Sequence, residues 1–184
     1  MPATVFGPSA AVSMLNRAFN DISPTFAVYA NQVNIAGTTP ESIRSFAIRF
    51  GEGYAMMSDS VLAGMVLNNM GLLPNTELLV DLVAYFAANP NARGFVVLQI
   101  GQILAEQEFA TGAMAQYATA AVAWNKEVTS AHAFSTDPAN EQFSTADPPP
   151  TFTKGPAESA LADAIKANDK ATTSANTLVG ATAL

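Results

Sequence analysis

Residues 75–108, NTELLVDLVAYFAANPNARGFVVLQIGQILAEQE, constrain the fold more than any other stretch of the chain. Leu79, Leu82, Val83 and Phe86 recur at three- and four-residue spacing with Glu77 and Asp81 opposite, the pattern of a helix with one buried and one wet face. Asn75 is placed to cap this helix. Asn89-Pro90 stops it, because proline disfavours helical geometry in the residue before it. The second half is apolar nearly all round: Phe95, Val96, Val97, Leu98, Ile100, Ile103 and Leu104 leave only a thin polar stripe of Gln99, Gln102 and Glu106. That pattern predicts a central helix, and the pair is expected to be what the other helices pack against.

Helical spacing repeats along the rest of the chain. A helix opening at Pro8-Ser9 carries Val12, Leu15 and Phe19 on one face and ends at Asn20-Asp21. A second begins at Ser23-Pro24, turns Phe26, Tyr29 and Val33 inward, and closes at Gly37, a residue suited to the left-handed conformation of a helix end. Thr39-Pro40-Glu41 opens a third, with Ile43, Phe46, Ala47 and Phe50 as its buried stripe. Gly51-Glu52-Gly53 reads as a hinge or helix break. It is not a phosphate-binding loop, since no strand precedes it and a third glycine is missing. Ser58 or Asp59 caps the next helix, in which Val61, Leu62, Met65, Val66 and Met70 face inward before Gly71. Gly112 is expected to begin a long helix whose seam of Met114, Tyr117, Ala121, Trp124, Val128 and Ala131 packs inside a bundle.

The predicted fold is therefore all-α: a compact bundle of about six or seven helices over residues 1–136, followed by an extended Pro/Ser/Thr/Ala-rich tail over residues 137–184. The tail contains Pro148-Pro149-Pro150 and one short helical candidate at residues 158–166. Its apolar residues are too sparse to form a core of their own. It is expected to dock on a neighbouring subunit through Phe143, Phe152, Leu161, Ile165, Leu178 and Val179, with residues 177–183 as a minor candidate for an intermolecular strand.

Composition narrows function by exclusion. Only 12% of residues are charged and 49% are hydrophobic, against a usual charged share of about 25%. Such a surface offers little electrostatic repulsion between copies, which points to a homo-oligomer. A net charge of −7, with Lys and Arg scattered, opposes binding to nucleic acid. The absence of cysteine removes disulfides, thiolate metal sites and thiol nucleophiles. No apolar run approaches about 18 residues, so no membrane span is expected. The N-terminus lacks the basic and apolar regions of a conventional signal peptide.

No pattern for catalysis appears, and the chain is not expected to be an enzyme. His132, the single histidine, has no neighbour that would make it a base or half of a zinc pair, and reads as a structural helix residue. Asp81, Glu106 and Glu108 could converge as a carboxylate pair, but each is more simply a solvated helix position. No cofactor motif occurs. Asp137, Asn140 and Glu141, in the loop DPANE, are oxygen donors of the kind calcium takes, against the plainer reading of a capping turn. A different class of function, a small-ligand-binding helical domain, would place Met56, Met57, Met65, Met70 and Trp124 around an apolar pocket.

The run NPNARGFVVLQIGQILAEQE followed by YATAAVAWNKEVTSAHAFSTDPAN resembles the helical N-terminal region of large bacterial surface proteins of the surface-layer and hemolysin-type calcium-binding group. The resemblance covers roughly residues 60–140 and is carried by the ANP turn and the LQIGQIL and AWNKEV helices. It implies a non-enzymatic extracellular structural protein that self-assembles into a surface layer or filament on a bacterial cell, with cell-surface polysaccharide as a further partner. It also implies export by a type I system reading the C-terminus, which would account for the missing signal peptide; a cytoplasmic location is the alternative. The chain departs from that group in stopping at 184 without calcium-binding repeats. That favours a small stand-alone subunit, or a fragment, over a calcium-driven lattice.

Overall fold

The computed structural model describes residues 7–142 and Ser144; the apolar tail positions Phe143, Phe152, Leu161, Ile165, Leu178 and Val179 and the candidate helix at 158–166 lie outside the described residues. Seven α-helices run in order among the described residues: α1 (Gly7–Asn20), α2 (Phe26–Ala36), α3 (Pro40–Glu52), α4 (Asp59–Asn69), α5 (Thr76–Ala88), α6 (Arg93–Ala105) and α7 (Ala118–Ser135). Short 3-10 turns at Pro90–Ala92, Glu106–Phe109 and Gly112–Tyr117 link α5 to α6 and α6 to α7. The described residues contain no strand beyond one isolated antiparallel bridge, Ser23 to Ser144. The all-α expectation holds.

Local chemistry sets the helix starts. Thr39 and Ser42 form a reciprocal capping box with Pro40 behind the cap, Ser58 accepts from Val61 N, and Asn75 accepts from Leu78 N. α2 starts two residues later than Ser23-Pro24 implies, because Thr25 supplies the cap. Its orientation differs as well: Tyr29 is buried, but Phe26 is 38% exposed.

The hub is α1, not the α5–α6 pair. Helix α1 packs against α2, α3, α4, α6 and α7, whereas α5 packs mainly on α4 and the Pro90–Ala92 turn. Every residue from position 10 to 19 is buried. Small side chains at Ala10, Ala11, Ser13 and Ala18 let neighbours approach on all sides, and Asn16 and Arg17 are matched internally. Asn16 Nδ2 donates to Val12 O at 2.9 Å and to Gln32 Oε1 at 2.8 Å. The Arg17 guanidinium lies 2.6 Å from Asp21 and 3.3 Å from Glu127. A buried charge survives only with such partners.

Around α1 the core runs through Leu15, Phe19, Leu62, Leu67, Leu79, Phe86, Leu98 and Trp124. Each such side chain contributes about 1.5–3 kcal/mol on full burial. Phe19, Phe50 and Tyr54 form one aromatic cluster, with Phe19 to Tyr54 centroids 4.6 Å apart. The Tyr54 hydroxyl bonds Asn20 Oδ1; burial pushes this phenol above its ordinary pKa, and that bond pulls it partly back.

The Gly51-Glu52-Gly53 segment divides its roles. Helix α3 continues through Gly51 to Glu52 and breaks at Gly53. Gly51 instead meets Gly94 of α6 backbone to backbone: a Cβ on Gly94 would stand 1.9 Å from Ala47 O and 2.7 Å from Gly51 N. The two helices cross here with no side chain between them. Arg93 secures the same corner from the α6 N-terminus, 2.5 Å from the Asp59 carboxylate and donating to Met57 O at 3.2 Å.

Past α7 the chain turns back on the bundle. Asn140 O accepts from Phe26 N at 3.0 Å, and Ser23 and Ser144 exchange backbone bonds of 2.7 and 2.9 Å. Ser135 Oγ donates to Pro24 O at 2.7 Å. Residues up to Ser144 therefore share the hydrogen bonding of the helical body.

Candidate functional site

The connection between α6 and α7 builds an apolar concavity. Helix α6 ends at Ala105 in the Glu106–Phe109 turn, and Gly112, at φ 64°, reverses the chain into Gly112–Tyr117. Where a continuous helix from Gly112 is the sequence expectation, the chain makes a 3-10 turn, and Met114 is left 41% exposed. No full helix covers the outer side of the α6 C-terminal half. Ile100, Ile103 and Leu104 form the floor of the resulting cleft, Leu72 and Leu78 one wall, and Met114 and Tyr117 the other, around about 250 Å³. Gln107 closes one edge, its Nε2 donating to Ile103 O at 2.9 Å.

Ile103 of this cleft is 54% exposed, and Phe109, at the end of the turn after α6, is 84% exposed. Glu77 and Asp81 on α5 and Glu106 after α6 are exposed, and Glu108 accepts from Asn125 Nδ2 at 2.9 Å. The one basic residue on these elements, Arg93, sits at the far end of α6, paired with Asp59.

A second, shallower groove of about 540 Å³ lies between the start of α1, the face of α2 and the end of α7, lined by Pro8, Phe26, Tyr29, Val33 and Thr136. In its wall the Tyr29 hydroxyl stands 2.7 Å from His132 Nδ1 and 3.2 Å from Ser9 O. Partial burial lowers the His132 pKa from its ordinary value. The histidine's described hydrogen-bond partner is thus a phenol.

The other sequence candidates fall as follows. Asp81 lies on α5 and Glu106 and Glu108 in the turn after α6, the first two exposed and Glu108 half-buried. Among the described residues no three His, Cys, Asp or Glu side chains are grouped so as to hold a metal ion. Asp137 Oδ1 accepts from Ala139 N at 2.9 Å, while Asn140 Nδ2 donates to Phe134 O at 2.7 Å. Both residues thereby close the turn that returns the chain to α2, and Glu141 is exposed beside them.

The Met and Trp residues are not gathered into one pocket. Met56 is 99% exposed, Met57 and Met65 are half-buried, and Met70 and Trp124 are core residues at 2% and 1%. Met70 and Trp124 meet around Gly101, whose missing side chain makes room for the indole; Trp124 Nε1 donates to Gly101 O at 2.9 Å. The spacing that marks a Met as apolar does not say which face of the bundle it reaches. The cleft residues carried a weaker signal, namely that α6 is apolar around more of its circumference than its neighbours can cover.

Comparison with protein-family models, with curated proteins and with solved structures finds no match. No helix among the described residues is long and apolar enough to cross a membrane.

Proposed function

We propose that this chain is a non-enzymatic structural subunit that assembles with its own copies into a layer or filament on the outside of a bacterial cell. The observation that carries the reading is the apolar cleft at the end of α6, together with the exposed Ile103 and Phe109, on a molecule with few charges to hold copies apart. His132 pairs with Tyr29 and Asp137 closes a turn. The surface-layer resemblance supports the same class and makes cell-surface polysaccharide the natural substrate for attachment.

Sedimentation velocity and negative-stain microscopy of the full chain, with and without calcium, test this. Species growing with concentration are expected. A monodisperse monomer across the concentration range under both conditions overturns the reading. Truncation after Ser144 keeps the bridge to Ser23 and removes the apolar tail positions; loss of assembly in a folded truncated chain is the expected result.

The cleft also favours a second reading, a small-ligand-binding helical domain. Its volume of about 250 Å³ is below the roughly 300–1,000 Å³ usual for ligand pockets, so one or two apolar side chains suit it better than a free ligand. Stoichiometric uptake of a hydrophobic fluorescent probe by a stable monomer would decide for the second reading.

A further inference from the structure

We infer that the outer face of α2 is a two-fold contact between copies of this chain, helix against helix, with the Asn31 and Asn34 amides paired across the axis. The inference rests on the assembling role proposed above and gives it one specific interface. Exposure, the lack of charge and the hydrogen-bonding character of the amides carry it.

Helix α2, FAVYANQVNIA, is about as apolar as α4 or α6, yet only Tyr29 and Ala36 are buried. Phe26, Val28 and Ile35 are 38, 47 and 46% exposed, and Asn31 and Asn34 are exposed among them. Position explains this: α2 packs on α1 and α3 and only lightly on α7, which leaves its outer side without a helix over it. The groove of about 540 Å³ continues the same surface from Phe26 and Val33 to Pro8, Gly37 and Thr136, and none of its lining residues is charged.

Charge selects the occupant. Residues 22–40, between Asp21 and Glu41, are the longest run of the chain without Asp, Glu, Lys, Arg or His. A partner recognised by its charge, whether an acidic or basic protein or a nucleic acid, finds nothing on this helix to pair with. A second copy brings the same uncharged helix, so two such faces meet without opposing like charges. The amides agree. Each carries two donors and an acceptor, so asparagines related by a two-fold axis satisfy one another reciprocally, which a charged side chain facing its own copy cannot do. Gln32, the inward amide of α2, is bonded to Asn16 at 2.8 Å; Asn31 and Asn34 are the outward ones. A two-fold contact closes on itself, so α2 alone makes a dimer. Growth beyond the dimer is what truncation after Ser144 is expected to remove.

Two full-length double variants and their mixture test the contact: Asn31→Asp with Asn34→Asp, and Asn31→Lys with Asn34→Lys. Both positions are exposed, and Val28→Ser with Ile35→Ser is the substitute where a charged pair loses helix content. In sedimentation velocity each double variant alone is expected to dimerise roughly tenfold more weakly or worse, because like charges now face each other. The equimolar mixture is expected to recover wild-type association, since Asp then meets Lys; damage to the fold would not be rescued by mixing. Wild-type-like association by both variants overturns the α2 contact and leaves the assembling role in place. A mixture no tighter than its components, alongside associating wild type, overturns the contact as well. A wild type that stops at a dimer, lost in both variants, supports this contact and overturns the layer or filament. A wild type that stays monomeric overturns both.

Discussion

Gly94→Ala tests the α3–α6 crossing most directly. The added Cβ would stand 1.9 Å from Ala47 O, 2.7 Å from Gly51 N and 3.0 Å from Ala47 C. A carbon to carbonyl-oxygen contact settles at about 3.3–3.6 Å, so the helices must separate by roughly 1.4 Å along that line. All three obstacles are backbone and no rotamer change relieves them. A gap of 0.5–1 Å already forfeits about a quarter to a half of a van der Waals well, and overpacking of this kind costs about 1–3 kcal/mol. The intrinsic gain of alanine over glycine in a helix, about 1 kcal/mol, offsets part of that. The net loss is expected in the upper part of that difference, about 1–2 kcal/mol, because every obstacle is backbone. In urea, with a slope of about 2 kcal/mol/M, the midpoint falls by about 0.5–1 M. Gly53→Ala is the control: its Cβ would meet only Phe50 O at 3.4 Å, and its stability should stay within about 0.5 kcal/mol of wild type. Gly94→Ala unfolding at or above the wild-type midpoint would refute the close-crossing argument.

Three further outcomes are expected. Arg17→Met leaves Glu127 and Asp21 without their central cation, and loss of one partner of a buried pair costs about 3–5 kcal/mol, measurable by urea denaturation if the variant still folds. His132 has a folded pKa lowered by burial. Below its unfolded value of about 6.5 the unfolded chain therefore takes up the proton first, and stability falls as pH drops from there towards the folded value; His132→Gln should flatten that part of the thermal-midpoint profile, and an unchanged slope would discount the histidine. Truncation after Thr136 removes the Asn140 and Ser144 bonds to Phe26 and Ser23. At about 0.5–1.5 kcal/mol for each of the three bonds, that chain should be about 1.5–4.5 kcal/mol less stable than one ending at Ser144, by thermal or urea unfolding.

Much of the fold was legible because it is local. Thr39, Ser58 and Asn75 act within one turn of themselves, and each caps the helix its sequence position announces. Seven helices follow from those starts and from apolar spacing. The hub was not legible, because the burial of Asn16 and Arg17 depends on Gln32 and Glu127, partners far along the chain; read alone, they mark a wet face. Gly51 was read as a break for a similar reason, since its purpose is set by Gly94 in another helix. In the candidate site, Ile103 and Met114 were recognised as apolar and assigned inward. Their exposure arises from a reversal at Gly112 that apolar spacing does not encode.

The pairing of α1 with α7 has a consequence for synthesis. Arg17 and Glu127 are 110 residues apart, and at about 5–20 residues per second the ribosome needs roughly 6–22 s to make the second after the first. During that interval α1 carries a charged group and small apolar residues with no α7 to receive them. The bundle can close only after nearly all of its helices exist, so the nascent chain passes through a long period in which it remains open to any factor that binds unfolded polypeptide.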